Sequence, residues 1–172
     1  ETIAPASRTT LDRAQRARWL ERTGSLDAAL EEARSVVLDR GATLEARALA
    51  LVVAATSAYG RGRFEDAWTF VSSARALEGL DRVSAVRIEN VAADLALAGG
   101  APLEARRIAE GAKSLAEGDR GLLALVEARL GAIAGLSGEP TRAIAHHEAA
   151  LAHAEAAGDV SALPPYVTNV AT

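Results

Sequence analysis

Four glycines recur at a constant interval along this chain of 172 residues. Gly24, Gly62, Gly100 and Gly138 are each separated by 38 residues. Three further columns keep the same interval: a small residue seven positions before each glycine, an alanine five positions after it, and an alanine or valine twelve positions after it. Such a period is typical of arrays in which one supersecondary unit is repeated and each unit buries its apolar face on its neighbours. The chain is therefore predicted to be a repeat protein.

Each interval is interpreted as two helices joined at the recurring glycine. Apolar residues on both sides of the glycine follow helical spacing, as in Leu49, Val52 and Val53 before Gly62. The glycine is expected to end the first helix in a left-handed conformation, and Pro102 and Pro140 are expected to open second helices. A second set of glycines is expected to end the second helices. Its members are Gly41, Gly79, Gly118 and Gly158.

The small-residue columns indicate closely packed helices. The chain contains 41 alanines and only 3% aromatic residues, a composition that suits helix pairs better than sheets. The small residues before each glycine are expected to face the alanines after it, so that the helix axes approach to about 8 Å. The first set is Ala17, Ala55, Ala93 and Gly131, and the second is Ala29, Ala67, Ala105 and Ala143.

These columns resemble the tetratricopeptide repeat. The second unit carries the likeness best, through Ala55 and the turn string Gly62-Arg63-Phe64-Glu65-Asp66-Ala67. The family's tryptophan position departs from the pattern, and the period of 38 residues exceeds the usual one of about 34. The resemblance implies an all-α fold, an α-α superhelix of four two-helix repeats plus a partial fifth. The expected divisions are an N-terminal leader (1–8), four repeats (9–160), and a truncated fifth repeat or capping helix (161–172).

A finer resemblance is carried by the strings Pro102-Leu103-Glu104-Ala105-Arg106-Arg107 and Ala154-Glu155-Ala156-Ala157-Gly158-Asp159. They are similar to the repeat regions of large bacterial regulators of the MalT/LuxR type. The implied function is a non-catalytic module that binds a protein, a peptide or a small effector, as the sensor or docking segment of a transcriptional regulator. The alternative is a general assembly scaffold with no effector and no transcriptional role.

The resemblance also implies where a ligand would bind. In the tetratricopeptide family the first helices of the units line a concave groove, and its positions carry over to polar residues on three predicted helices. The predicted ligand groove is Arg18, Arg22, Thr56, Tyr59, Arg87, Asn90 and Asp94. Arg87, Asn90 and Asp94 share one helix face, where an intrahelical charge network is the alternative interpretation.

No residue pattern indicates catalysis, so the chain is predicted to be no enzyme and to need no cofactor or metal. His146, His147 and His153 fall on one predicted helix, and a metal site is one interpretation of them. Because ligands seven residues apart lie about 10 Å apart along a helix, we favour another, in which His147 faces the core and the other two are exposed.

The string Gly60-Arg61-Gly62-Arg63 also permits two interpretations. A phosphate-binding loop would need a preceding strand and a lysine–serine ending, and both are missing here. The favoured interpretation is a turn between helices.

Charge and composition bound the partners. The net charge of −4 disfavours nucleic-acid binding by this segment, and the chain has no cysteine and no apolar run long enough to span a membrane. A cytoplasmic location is expected, and self-association through exposed end repeats is plausible. The first predicted helix carries a basic strip, read either as a solvated face or as a surface for an acidic partner. Its arginines are Arg13, Arg16, Arg18 and Arg22.

Overall fold

The computed structural model describes residues 9–158 of the chain. These residues form eight α-helices and no β-strand, which confirms the prediction of an all-α protein. The predicted leader (1–8) and the predicted terminal segment (161–172) lie outside the described range. No helix between residues 9 and 158 has both the length and the apolar content required to cross a bilayer. The helices are α1 (Thr10–Arg22), α2 (Leu26–Val37), α3 (Leu44–Gly60), α4 (Phe64–Arg75), α5 (Arg82–Ala98), α6 (Pro102–Ala116), α7 (Arg120–Leu136) and α8 (Pro140–Ala157).

The chain divides into two compact units, unit 1 (Glu1–Ser84) and unit 2 (Ala85–Thr172). In unit 1, α1 packs against α2 and α3, and α3 also packs against α2 and α4. In unit 2, α7 packs against both α6 and α8. The helices on either side of Gly24, Gly62 and Gly138 are therefore in contact with each other, as the two-helix interpretation of the repeat requires.

The four periodic glycines all adopt the left-handed conformation, with φ of 82°, 71°, 76° and 75° in chain order. A Cβ atom added at any of them would meet nothing within 4 Å, so the backbone angle and not space selects glycine. An L-residue in this conformation costs about 1 kcal/mol or more because its Cβ approaches the following carbonyl oxygen. The constant glycine is thus explained by one repeated helix-ending geometry.

The second set of glycines follows the prediction at Gly118 and Gly158, which lie within two residues of the ends of α6 and α8 and have φ of 82° and 73°. Gly79 also has a positive φ of 78°, but it does not end α4, which stops four residues earlier at Arg75. Gly41 was expected to end α2 in the same way, and this is wrong, because it is not among the residues with positive φ. Helix α2 ends earlier, at Val37, and the Gly41 N–H donates to Asp39 Oδ1 at 2.9 Å instead.

Side chains at the helix starts account for several boundaries. Thr9 and Asp12 form a capping box at α1, in which each side chain accepts from the other residue's backbone N–H at 3.1 Å. Pro102 and Pro140 are the first residues of α6 and α8, as predicted, where the missing proline N–H would have had no helical partner.

The alanine columns form the core. In the first three repeats, the small residue seven positions before the glycine and the alanine five positions after it are fully buried. The residue twelve positions after the glycine is fully buried in all four repeats. The buried members are Ala17, Ala55, Ala93, Ala29, Ala67, Ala105, Val36, Ala74, Ala112 and Ala150.

The fourth repeat departs from this packing. Gly131 was expected to face Ala143, but a Cβ at Gly131 would collide with the ring of His147, which lies directly over the Gly131 backbone. Ala143 lies instead against Gly135, 3.7 Å from the position of an added Cβ. The bulky imidazole thus takes the place of the expected alanine, and glycine at 131 makes room for it.

Candidate functional site

The predicted groove residues of unit 1 contribute mostly to local structure. The Thr56 hydroxyl donates to the Val52 carbonyl at 3.0 Å within α3, and the Tyr59 ring lies 5.7 Å from the Phe64 ring. Arg18 and Arg22 line a shallow depression on α1 together with Trp19, whose side chain is largely exposed. These residues do not form a cluster of convergent polar groups.

Two of the four arginines in the predicted basic strip on α1 pair with residues outside this helix. Arg13 donates to Asp39 Oδ2 at 3.3 Å and to Ser35 Oγ at 2.6 Å, and Arg16 lies 3.6 Å from Glu32. These two arginines therefore tie α1 to α2 and to the residues that follow α2. Only Arg18 and Arg22 of the strip remain on the surface depression.

The predicted groove residues of unit 2 lie along α5, one helical turn apart. Asn90 is only 9% exposed, and Asp94 forms an ion pair with Arg129 of α7, with 2.5 Å between Oδ1 and Nη1. The ion pair of Asp94 therefore runs between helices rather than along α5, which corrects the intrahelical interpretation for this residue. Arg87 is half-buried on the same helix.

The Asp94 carboxyl has an unusual titration. Its side chain is 13% exposed, and burial raises its pKa from 3.8 to about 6 although the nearby Arg129 guanidinium opposes the shift. Burial penalises the charged form of an acid because the interior solvates it poorly, whereas a cation favours that form. Asp94 therefore takes up a proton at a pH well above that of an ordinary aspartate.

Several buried side-chain polar atoms of the described residues lack a hydrogen-bond partner, and two of them lie on α5 and α7. They are Asn90 Oδ1, an acceptor, and Arg129 Nε, a donor. A buried polar atom without a partner costs about 1–3 kcal/mol, so native proteins rarely keep one without a role for it. We call Asn90, Asp94 and Arg129 the α5–α7 polar patch.

Arg129 was not among the predicted site residues. The equivalent positions of the earlier repeats are Gln15, Val53 and Val91, and both valines are buried. An arginine in a column that holds buried valines in the second and third repeats was the available signal. It was missed because the groove positions were carried over from the family pattern rather than compared between the repeats.

A second polar cluster joins α6, α7 and α8. Glu127 of α7 is 3% exposed and accepts from Lys113 Nζ at 2.6 Å and from His146 Nδ1 at 2.7 Å. Burial by itself would raise the pKa of Glu127, but the hydrogen bonds and charges of Lys113 and His146 outweigh it and hold this pKa below the ordinary value. The carboxylate is thus kept ionised.

The histidine prediction is partly confirmed. His147 is buried, as expected, and burial together with the charge of His146 lowers its pKa. His146 and His153 were expected to be exposed, which is wrong. Both are half-buried. His146 Nδ1 contacts Glu127, and His153 Nδ1 lies 3.2 Å from Arg120 Nη1. No group of three or more potential metal ligands occurs among residues 9–158.

The string Gly60-Arg61-Gly62-Arg63 forms the turn between α3 and α4, as predicted. Arg61 pairs with Asp27 at 2.9 Å and Arg63 pairs with Asp66, so both guanidinium groups are paired within unit 1.

No protein-family model matches this chain. No curated protein matches it either.

Proposed function

We propose that this chain is a tetratricopeptide-like repeat module that binds a protein or peptide, and that the α5–α7 polar patch is the centre of its binding surface. The repeat assignment is supported by the 38-residue spacing and by the same left-handed glycine ending α1, α3, α5 and α7. The patch lies on α5 and α7, which are the first helices of the third and fourth repeats. First helices carry the groove in the family that the sequence resembles.

The observation that carries the proposal is a pair of unpartnered polar atoms, one on Arg129, which also pairs with Asp94, and one on Asn90, a helical turn before Asp94. Asn90 Oδ1 accepts hydrogen bonds and Arg129 Nε donates them. A peptide unit offers the complement, an N–H and a C=O held at fixed spacing. Both atoms are shielded from solvent, so peptide binding requires the two side chains to turn outward. An extended segment would then satisfy both atoms and remove the cost of leaving them unpaired.

The same arrangement supports binding over catalysis. Asp94 is occupied by Arg129, and the patch contains no hydroxyl or imidazole as a nucleophile or base. Its groups are suited to holding a neutral polar chain. A surface that combines buried hydrogen-bonding atoms with an ion pair gives specificity more than affinity.

Selection of a random peptide library displayed on phage tests this proposal. We expect the intact chain to enrich a set of sequences, and Asn90→Ala to bind synthetic peptides of these sequences about tenfold or more weakly in calorimetry, because a buried acceptor is lost. Ser114→Ala, an exposed substitution on α6, is the control and should leave affinity unchanged. Equal affinities for the wild type and Asn90→Ala would reject the patch as the binding site.

The wider role we propose is that of a sensor or docking segment in a larger bacterial transcriptional regulator. It rests on the resemblance of the Pro102 and Ala154 strings to such regulators. Sequencing the surrounding gene tests it: a nucleotide-binding or DNA-binding module encoded in the same reading frame is expected. A reading frame with neither module would favour the assembly scaffold, and peptide binding by the patch could still hold.

A further inference from the structure

A small pocket opens in unit 2 where α6, α7 and α8 meet. Its volume is about 240 Å³, below the roughly 300–1,000 Å³ of pockets that take drug-sized ligands. Its apolar wall consists of Leu130 and two alanines, Ala134 and Ala145. The pocket therefore suits a molecule of a few heavy atoms rather than a peptide.

Two guanidinium groups and one imidazole also line the wall. Arg106 comes from α6, and Arg142 and His146 come from α8. Glu110 is the one carboxylate among the lining residues. The wall thus presents two permanent cations and an imidazole against a single anion.

The carboxylates that hold these donors lie outside the pocket wall. Glu139 accepts from Arg106 Nη2 at 2.6 Å and from Arg142 Nη1 at 2.9 Å. Glu127 likewise accepts from His146 Nδ1 at 2.7 Å. Neither glutamate is a lining residue. Each donor is therefore fixed in orientation by a carboxylate outside the wall.

This arrangement leaves hydrogen-bonding capacity for a ligand. A guanidinium carries five N–H donors, and each arginine uses only one nitrogen on Glu139. With Nδ1 of His146 bound to Glu127, Nε2 is the ring nitrogen that stays available, and it donates to an anion only from a ring protonated on both nitrogens. Planar guanidinium groups pair with carboxylate and phosphate oxygens through two parallel hydrogen bonds.

We propose that this pocket binds a small anion, a phosphate or a short carboxylic acid, through Arg106, Arg142 and His146. The short apolar part of such an acid would contact Leu130, Ala134 and Ala145. The site is separate from the α5–α7 polar patch, because the two share no residue, and it can be tested without a peptide.

Titration of the full chain with sodium phosphate and with sodium butyrate, at constant ionic strength maintained by sodium chloride, tests the proposal. We expect a saturable change in the NMR signals of the His146 ring. Arg142→Gln should weaken binding about tenfold, because hydrogen bonds to charged groups contribute about 1.5–3 kcal/mol. Circular dichroism should show unchanged helicity, since the Arg142 side chain is 66% exposed.

Arg107→Gln is the matched control. Arg107 is next to Arg106 on α6, pairs with Glu104 at 2.6 Å and does not line the pocket, so its loss should leave affinity unchanged. Glu110→Gln should tighten binding, because it removes the carboxylate that repels an anion. Shifts that never saturate, equal weakening by Arg142→Gln and Arg107→Gln, or unchanged or weaker binding by Glu110→Gln would each overturn the proposal.

Discussion

Ion pairs between helices differ between the two units. In unit 1 the exposure of the paired carboxylate side chains ranges from 22% at Glu32 to 71% at Asp27. In unit 2 the Glu139 side chain, paired with Arg106, is 32% exposed, but those of Glu127 and Asp94 are only 4% and 13% exposed. Unit 2 therefore carries two paired carboxylates that are more deeply buried than these carboxylates of unit 1.

The difference bears on function because the two kinds of pair have different energetics. An exposed pair contributes about 0–1 kcal/mol and costs little to keep. A buried pair contributes little net stability compared with apolar residues of similar size, yet losing one partner is costly. Unit 2 thus keeps charges that stability alone does not favour, and it is also where the α5–α7 polar patch lies.

The largest difference in stability loss is expected between removing one partner of a buried ion pair and removing one partner of an exposed pair. Arg129→Ala leaves the Asp94 carboxylate buried and unpaired, and should lower the free energy of unfolding by about 3 kcal/mol at alkaline pH. The loss should be smaller at acidic pH, where Asp94 is protonated. Arg16→Ala should cost less than about 0.5 kcal/mol. Urea denaturation followed by circular dichroism measures both, and equal losses would contradict the contrast.

Two buried carboxylates of unit 2 should give opposite pH dependences of stability. The folded-state pKa of Asp94, about 6, exceeds its ordinary value of 3.8, so the folded protein holds this proton more tightly. The unfolding free energy should therefore fall, by on the order of 2–3 kcal/mol, as pH rises through this window. The substitution Asp94→Asn should abolish this decrease of the unfolding free energy with pH.

Glu127 has the opposite sign. Its pKa is lowered from 4.5, so its contribution is present above that pH and is lost as pH falls through the folded-state pKa. Urea denaturation of the wild type and Glu127→Gln across the acidic range should show the difference between them shrinking as the solution is acidified. A difference that grows on acidification would mean that Lys113 and His146 do not stabilise the charged form.

The packing of His147 on Gly131 is a further point at which unit 2 departs from the repeat. Gly131→Ala should destabilise by about 2 kcal/mol, because the new methyl group must displace a buried ring. Gly135→Ala, on the same helix, meets only an ordinary contact with Ala143 and should stabilise by about 0.5 kcal/mol through its helix propensity. Thermal unfolding distinguishes the two, and a stabilising Gly131→Ala would show that the ring has room to move.

The periodic glycines should behave alike in both units. Gly62→Ala and Gly138→Ala should each cost about 1 kcal/mol, because both have positive φ and open space around the missing Cβ. Gly111→Ala, on an exposed face of α6, should instead stabilise slightly. Different losses at positions 62 and 138 in urea denaturation would show that the two turns are not equivalent.

The all-α class and most helix boundaries could be predicted from sequence because local rules determine them. The left-handed glycines, the prolines at helix starts and the buried alanine columns each depend on backbone geometry or on small size, which one repeat shares with the next. The prediction that Gly41 ends α2 was wrong because its N–H donates to the Asp39 side chain in a turn that follows α2. The prediction that Ala143 faces Gly131 was wrong because a single large residue, His147, occupies that position.

The candidate site was less predictable because its contacts join residues far apart in the chain. The sequence indicated Asn90 and Asp94, but the identity of their partner depends on how α5 and α7 are placed in unit 2. The same holds for Glu127, whose position gave no sign that Lys113 and His146 would converge on it. A charged residue at a position where neighbouring repeats hold buried apolar residues, as at Arg129, is the sequence signal for such contacts.

Replacing the buried ion pair by apolar residues tests most directly whether unit 2 keeps its charges for binding. The double substitution Asp94→Leu with Arg129→Met should leave the unfolding free energy unchanged or higher, because both charges and their desolvation cost are removed together. Calorimetry with a peptide selected on the wild-type chain should then show affinity lowered about tenfold or more, since Arg129 Nε is gone. An equally stable double variant that binds this peptide as well as the wild type would contradict the account.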